Sequence, residues 1–436
     1  MGQKQTKDNV LIFGGYSHKN RGDHAMLGGM VHHLMQAIPD VQMIIYSTDP
    51  EKINGLFNAK IVWSPEVYFA ICDKSFFKRL WFKKLFALAL GVWFILNFIM
   101  FKTIGRCLIK NKACLGFYRQ MLDAKALVLS GGGYLNSIWS LNELYPKAFI
   151  VIAAILSGVP VAMRSQTIGP FIGRFDRFIA KLIFNSMSII GLRDTAESKK
   201  SLHDLNIKKK EVFTGDDSLF LPLVNGDSLK EIFFKEKIPA GKKLIGVNFR
   251  NPVSYGSVCR EVKIDLIAAL LDKVASLRDA HIVFLPISYN TRDDDRVTAE
   301  KIQACMKLSE KTTLVANQYN PAELKGLIGS VDIAIGISYH FLLFALSGRV
   351  PAVGLFPDEY YRRKNTGLFE LYGIPSYCFS LEKADTPDAV INLINKLFED
   401  SKDMRMLLDK KNVQMEKIRK HEWQMFIGYL KAANQY

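Results

Sequence analysis

The chain has 436 residues, 49% hydrophobic and 23% charged. This is ordinary globular composition, which excludes a disordered tail protein, a collagen-like chain and a small disulfide scaffold. Its 58 Lys and Arg against 42 Asp and Glu leave a net charge of +16, a surplus that favours nucleic acid, an anionic membrane or a phosphorylated substrate.

The first ten residues, MGQKQTKDNV, are polar and lack the apolar core of a signal peptide. Gly2 and Thr6 fit the short N-myristoylation pattern, which is frequent by chance. Residues 9–15 (NVLIFGG) read as a buried strand, followed by the polar loop YSHKNRGD, a helix over 24–37 and a second strand over 41–47. The stretch 74–122 then carries ten basic residues and no acidic one. The rest of the chain holds only +6 of the surplus. Within the stretch, residues 85–101 (LFALALGVWFILNFIMF) contain one polar side chain, Asn97. Three readings compete: a short membrane span, a core helix apolar on every face, and an interfacial segment anchored by Trp81, Phe82, Trp93 and the flanking Lys and Arg. Strands on both sides are expected to share one sheet, which disfavours a single span. Attachment to an anionic membrane surface is the expectation.

Beyond it, residues 126–133 (ALVLSGGG) form a strand running into three glycines. A helix over 147–156, the strand VPVAMRSQ, a helix over 174–186, the strand SIIGLRD and the run EVFTGDDSLFLP complete the first half. Residues 225–243, rich in Lys, Gly, Asp and Pro, mark a boundary. A second alternating half begins with KLIGVNFR and continues through helix 264–277, HIVFLPIS, helix 296–307, TTLVA, helix 321–329, VDIAIG, helix 339–346 and VPAVGLF. Residues from about 388 onward look helical with mixed charge. No internal repeat appears. Strands alternating with helices predict an α/β protein with parallel sheets: two Rossmann-like doubly wound domains facing a cleft, at 8–224 and 242–385. The basic apolar insertion 74–122 lies in the first, and a helical tail follows at 386–436. Ligands in such sheets bind beyond the carboxyl ends of strands, so the loops after each strand are where chemistry is sought.

Six cysteines, at 72, 107, 114, 259, 305 and 378, show no C-x-x-C pair or metal spacing, which fits a reducing cytosol. In the first loop, Asn20 and Asp23 are candidates for bonding sugar hydroxyls. The plainer alternative is that Asn20, Gly22 and Asp23 make the turn and cap the helix. Gly131, Gly132 and Gly133 either admit a ligand close to the backbone or form a tight turn. Gln166 and Arg193 follow two further strands, and Arg193–Asp194 also reads as a structural ion pair. Arg250 ends a strand, where a guanidinium suits bidentate recognition of carboxylate or phosphate. Ser338 is positioned to cap the helix that begins near His340. A histidine there is favoured neutral, available as a base, with free backbone N–H groups nearby for an anion. Arg362, Arg363 and Lys364 add positive charge on the same edge. Asp293, Asp294 and Asp295 begin a helix and read as dipole-matching acid rather than metal ligands.

The order of these motifs resembles the polysaccharide pyruvyl transferase family. The matching residues are Asn20-x-Gly22-Asp23-x-Ala25, Gly131-Gly132-Gly133, Gln166-x-x-Gly169-Pro170, Arg193-Asp194 with Ser198, Asp217 through Leu221, Arg250, the segment around His340 ending in Ala345-Leu346, then Pro351 and Lys364-x-x-Gly367. Each motif is weak alone; their shared order over residues 10–375 is specific. The resemblance implies two domains of the GT-B glycosyltransferase type. It also implies transfer of pyruvate from phosphoenolpyruvate onto two hydroxyls of a sugar as a cyclic ketal. His340 becomes the general acid/base, and Arg250 with Ser338, Arg362, Arg363 and Lys364 the donor-anion side. Neither a metal nor a cofactor beyond the donor is implied. One departure stands out: the family usually has Arg-x-His where this chain has Ser338-Tyr339-His340.

The expected function is therefore pyruvylation of a cell-surface polysaccharide or its lipid-linked precursor, by a cytoplasmic protein at the inner face of the cell membrane. Two alternatives are a glycosyltransferase using a nucleotide sugar and a degenerate, non-catalytic member acting in polysaccharide assembly. Nucleic acid is not an expected partner, because the basic cluster is interleaved with a long apolar run rather than with solvated stacking platforms.

Overall fold

The computed structural model of the chain describes residues 9–14, 19–72, 79–222, 224, 226–250, 263–291, 293–383 and 385–433. Residues 15–18 of the first loop, 74–78 of the basic segment, Cys259, and Gly2 and Thr6 lie outside the described residues. The chain divides into two compact units. The first holds the described residues up to 14, then 26–220 and those from 418 onward; the second holds 19–25 and 221–417. The loop 19–25, placed by sequence within 8–224, thus groups with the second unit.

The first unit runs β1 (Asn9–Phe13), α1 (Arg21–Ala37, from Met26 onward), β2 (Gln42–Ser47), β3 (Lys60–Trp63), α2 (Glu66–Phe69), α3 (Leu80–Ile104), α4 (Lys112–Leu122), β4 (Ala124–Leu129), α5 (Tyr145–Leu156), β5 (Val161–Gln166), α6 (Arg174–Ser186), β6 (Ile189–Leu192), α7 (Glu197–Asp204) and β7 (Glu211–Phe213). Its strands form one parallel sheet in the order β3-β2-β1-β4-β5-β6-β7. Alternate residues of a strand face opposite ways, and β1 uses both faces. Leu11 and Phe13 pack with Phe94, Phe117 and Phe149 from α3, α4 and α5. Val10 and Ile12 pack on the other face with Leu27, Met30 and Leu34 of α1.

The apolar run 85–101 is half-embedded. A stripe of Ala87, Gly91, Phe94, Asn97 and Phe98 is buried, while Val92, Trp93, Leu96 and Ile99 on the remaining face are exposed. Gly91 is where α3 meets α5, since a Cβ there would lie 1.9 Å from the Phe149 ring. Asn97, the one polar side chain of the run, accepts from the amides of Leu108 and Ile109 at 2.7 and 3.0 Å and donates to the Trp93 carbonyl. It closes the turn between α3 and α4. A single membrane crossing by α3 would separate β3 from β4, yet both strands belong to one sheet.

The second unit runs α8 (Asp227–Lys235), β8 (Leu244–Asn248), α9 (Ile264–Ser276), β9 (His281–Phe284), α10 (Asp295–Cys305), β10 (Thr312–Leu314), α11 (Pro321–Ile328), β11 (Ile333–Gly336), α12 (Tyr339–Ser347), β12 (Ala352–Phe356), α13 (Glu359–Leu371), β13 (Cys378–Ser380) and α14 (Thr386–Glu399). It is followed by α15 (Ser401–Ala432), whose residues from Ile418 group with the first unit. The sheet order is β10-β9-β8-β11-β12-β13, again all parallel. This repeats the doubly wound order of the first unit's strands up to β6. Local chemistry starts the helices where the pattern changes. At α11, Asn320 accepts from the Glu323 amide at 3.0 Å and Glu323 accepts from the Asn320 amide at 2.8 Å, a capping box with Pro321 at the first helical position.

Candidate functional site

In the second unit the segment entering α1 is tied to the residues after β9 by an isolated antiparallel bridge. The Tyr289 amide donates to the Lys19 carbonyl at 2.7 Å, the Arg21 amide donates to the Ile287 carbonyl at 3.0 Å, and Asn20 bridges Ser288 antiparallel. The Asn20 side chain turns back to accept the Gly22 amide at 3.0 Å, so Asn20 fills the turn-and-cap role. Asp23 sits half-buried in the first turn of α1. Gly22 meets the histidine directly: a Cβ on Gly22 would lie 2.0 Å from His340 Nδ1 and 2.4 Å from its Cγ. The N-x-G-D motif and His340, far apart in sequence, are one constellation, and the glycine is what lets the imidazole lie there.

His340 is the second residue of α12. Ser338 occupies the N-cap in extended conformation, and its carbonyl accepts the Leu342 amide at 3.1 Å. Its hydroxyl makes no capping bond, unlike the expected side-chain cap. At the floor, Gly336 allows the end of β11 to pack on the Phe341 ring, 2.7 Å from where a Cβ would sit. Asn365 of α13 is fully buried and donates to the carbonyls of Ile337 and Leu355 at 2.9 and 3.0 Å. It thereby ties the carboxyl ends of β11 and β12 together.

Arg250 is not an open cation in this structure. Its Nε donates to Asp295 Oδ1 at 2.8 Å and a terminal nitrogen to Oδ2 at 3.2 Å, while Asp293 stands 3.9 Å away. Burial works against its charge, and Asp295 with Asp293 outweighs that, so the guanidinium holds its proton above the ordinary range. Asp295 also accepts from the amides of Ile287 and Ser288 and from Asn248 Nδ2, at 2.8 to 2.9 Å. It is therefore a hub that fixes the ends of β8 and β9. Asp294 caps α10 by accepting the Arg296 amide at 2.9 Å, as dipole-matching acid would. Of the second basic group, Arg362 is paired with Glu359 at 2.6 Å. Lys364 donates to the Tyr360 hydroxyl and lies 4.0 Å over its ring. Arg363 is half-buried on the same helix.

The first unit holds its own polar cluster. Gly132 (φ +157°) pairs with Gln166 across β4 and β5, donating to the Ser165 carbonyl at 3.1 Å and accepting the Thr167 amide at 2.9 Å. What approaches these glycines is protein. A Cβ on Gly131 would sit 2.7 Å from Met26 Sδ, and one on Gly132 would sit 2.5 Å from the Tyr134 ring. The Gly133 carbonyl accepts Asn136 Nδ2 at 2.8 Å, and Gln166 Nε2 donates to the Ser130 carbonyl. Arg193 pairs with Asp216 at 3.1 Å and donates to Thr167 Oγ1 at 2.8 Å, rather than pairing with its neighbour Asp194. Asp194 instead accepts from the Ser198 amide and hydroxyl, at 2.8 and 2.5 Å. A second buried pair, Arg164–Asp217 at 3.3 Å, is covered by Trp423 of α15, 4.1 Å from the guanidinium. Sequence reasoning matched Asp217 to the family and noted the strand end that holds Arg164 but did not pair the two, and it did not single out Asn365 or the hub role of Asp295, whose only signal is an acid run at a helix start. Among the described residues no three His, Cys, Asp or Glu side chains converge as a metal site.

A family model described as polysaccharide pyruvyl transferase matches residues 20–358. The amylovoran biosynthesis protein AmsJ of Erwinia amylovora is 23% identical over 386 residues, 84% of this chain and 86% of that one. Among solved structures, HepE of Anabaena bound to UDP-glucose is similar with a TM-score of 0.56 at 10% identity, covering 96% of this chain and 99% of that one. The UDP-GlcNAc 2-epimerase of Neisseria meningitidis gives 0.52 at 12% identity, covering 92% and 93%. At these identities the structural likeness establishes the fold, two parallel-sheet α/β domains of the GT-B type.

Proposed function

This chain belongs to the polysaccharide pyruvyl transferase family, and on that footing we propose that it transfers pyruvate from phosphoenolpyruvate to a sugar of a cell-surface polysaccharide or its lipid-linked precursor. Its relative AmsJ is described by its role in amylovoran biosynthesis, which supports a role in polysaccharide modification. In the proposed reaction one sugar hydroxyl adds to C2 of the donor as C3 takes a proton and becomes a methyl group. The second hydroxyl then closes the ketal as phosphate leaves. Of the two hydroxyl protons, one balances the methyl and the other leaves with the phosphate. His340 is the group assigned to move them.

The observation that carries this reading is the seat of His340 against Gly22, because it brings two family motifs far apart in sequence into contact. The donor's phosphate and carboxylate are assigned to the start of α12, at the positive end of its helix dipole, with Arg363 on the neighbouring α13. Arg250, Arg362 and Lys364 would have to exchange Asp295, Glu359 and Tyr360 for the donor. We further propose that the protein works on the cytoplasmic side, attached to an anionic membrane surface through residues 74–122. The test is to incubate the purified protein with phosphoenolpyruvate and cell-envelope glycan and measure phosphate release and ketal formation. Absence of release together with binding of a nucleotide sugar would replace this reading with a glycosyltransferase. Absence of turnover with any donor would replace it with an assembly role.

A further inference from the structure

Resting on the membrane-attachment reading above, we propose that the lipid-facing surface is not α3 alone. It is a composite of α3, the end of α5 and α6, lying flat on one leaflet of an anionic bilayer. Three observations build it. First, α3 is locked to its neighbours at both ends: Lys84 forms an ion pair with the fully buried Asp176 of α6 at 2.8 Å, and Lys102 donates to the Leu156 carbonyl that ends α5. The three helices therefore present one face. Second, that face is apolar well beyond residues 74–122. Besides Trp81, Val92, Trp93, Leu96 and Ile99 of α3, it exposes Ile155 and Leu156 of α5, Ile172 before α6, and Phe175 and Phe178 of α6, the last at 63%. Phe175 and Phe178 are three apart on a helix and so lie on one side of it. Apolar surface of this extent signals a covering partner.

Third, the charge pattern selects the occupant. Arg79, Lys102 and Arg106 stand exposed at the ends of α3, and Arg174, Arg177 and Lys181 along α6. The only carboxylate of α6, Asp176, is buried under Lys84. Residues 74–122 contain no acid. A second copy docking through this face would set two basic rims against each other with no acidic complement. A leaflet rich in anionic headgroups supplies that complement, and aromatic residues beside cations suit its interface. Between the starts of α3 and α6 lies an open pocket of about 370 Å³, walled by Leu80, Trp81, Ile172 and Phe175 with Arg174 at its edge. It is shaped for an apolar chain beneath an anionic headgroup. The buried stripe of α3 excludes a helix surrounded by lipid, so the geometry is interfacial.

The test uses the full chain and sedimentation with vesicles of phosphatidylcholine alone or mixed with phosphatidylglycerol. Wild type should bind the mixed vesicles more strongly, and salt should weaken binding. Phe175→Glu with Phe178→Glu should lower partitioning by roughly tenfold or more, as loss of two buried phenyl groups predicts. Arg174→Gln and Arg177→Gln should each cost about fivefold. Thermal unfolding should be unchanged, and so should phosphate release with a water-soluble glycan. Wild type that binds neither vesicle overturns the attachment reading itself. Wild type that binds while the α6 variants bind equally well overturns only the composite face. A wild-type dimer in solution that the Phe175 and Phe178 substitutions dissociate would show that a second copy, not lipid, covers it.

Discussion

Gly22→Ala isolates the contact on which the assignment of His340 depends. The added methyl would sit 2.0 Å from Nδ1, 2.4 Å from Cγ and 2.8 Å from Cε1. Restoring ordinary van der Waals contact needs a displacement of about 1.4 Å or more. Backbone cannot absorb it easily, because Gly22 lies in α1 and the preceding Arg21 amide is bonded to the Ile287 carbonyl. The imidazole must move instead. Two stability effects oppose each other: alanine is about 1 kcal/mol better than glycine in a helix, and overpacking costs about 1–3 kcal/mol. The net loss should therefore stay below about 2 kcal/mol, and the variant should fold. A misplacement of this size at a reacting centre costs about a hundredfold in rate. Phosphate release from phosphoenolpyruvate with glycan present should fall by that order, with a thermal midpoint close to wild type. In a His340→Ala background the same substitution should cost nothing further, since its effect runs through the ring. Full activity of Gly22→Ala, or additive losses in the double variant, would refute the assignment of His340 to the chemistry.

Other consequences can be checked separately. His340→Ala should lower phosphate release by about 10²–10⁴-fold, the usual contribution of a general acid or base, while circular dichroism and thermal unfolding stay near wild type. Asp295→Asn leaves Arg250 with only the distant Asp293 and should destabilise the second unit by about 3–5 kcal/mol in denaturant titration. Adding Arg250→Met should recover most of that loss, because the stranded charge is then gone. His33 of α1 has its pKa lowered to about 4 by burial first, then by His32, Arg164 and Arg419. The folded state thus binds a proton less readily than the unfolded chain, whose histidine titrates near 6.5. Stability should be full above about pH 6.5 and decline as pH falls toward 4. His33→Gln should flatten the part of that slope between these values, as read from unfolding midpoints across pH.

The doubly wound plan was legible because strand and helix periods alternate cleanly in the buried runs. Residues 174–186 were read as helix with the observed ends, since their apolar positions recur at helical spacing. Two of the elements that escaped notice have weak burial, while α4 escaped although Phe117, Tyr118 and Met121 are buried, because it lies in the basic segment read as one insertion. β3 (KIVW) and β13 (CFS) are edge strands without a fully buried residue, so no apolar alternation marks them. α13, which carries the Arg-Arg-Lys run, was read only as positive charge at the cleft edge, although Asn365 and Leu368 bury its inner side. Among site residues, His340 and the N-x-G-D motif were found separately, but nothing in a sequence says that a glycine and a histidine touch. Arg250 shows the opposite limit. A guanidinium at a strand end is a good anion site by type, and only coordinates reveal that Asp295 already occupies it.

The grouping of residues 19–25 with the second unit sets an order on biosynthesis. The strand bridge from Asn20 to Ser288 and the seat of His340 against Gly22 cannot form until roughly 300 further residues have left the ribosome. At 5–20 residues per second, the N-terminal loop waits roughly 15 to 60 s for its partners. For that interval the first sheet can assemble, but the second unit lacks both the Asn20 bridge and the Gly22 contact with its histidine. A fragment cut at the apparent boundary near residue 225 would carry the same deficit permanently. The second half should therefore be soluble only when residues 19–25 accompany it, covalently or added back as a peptide.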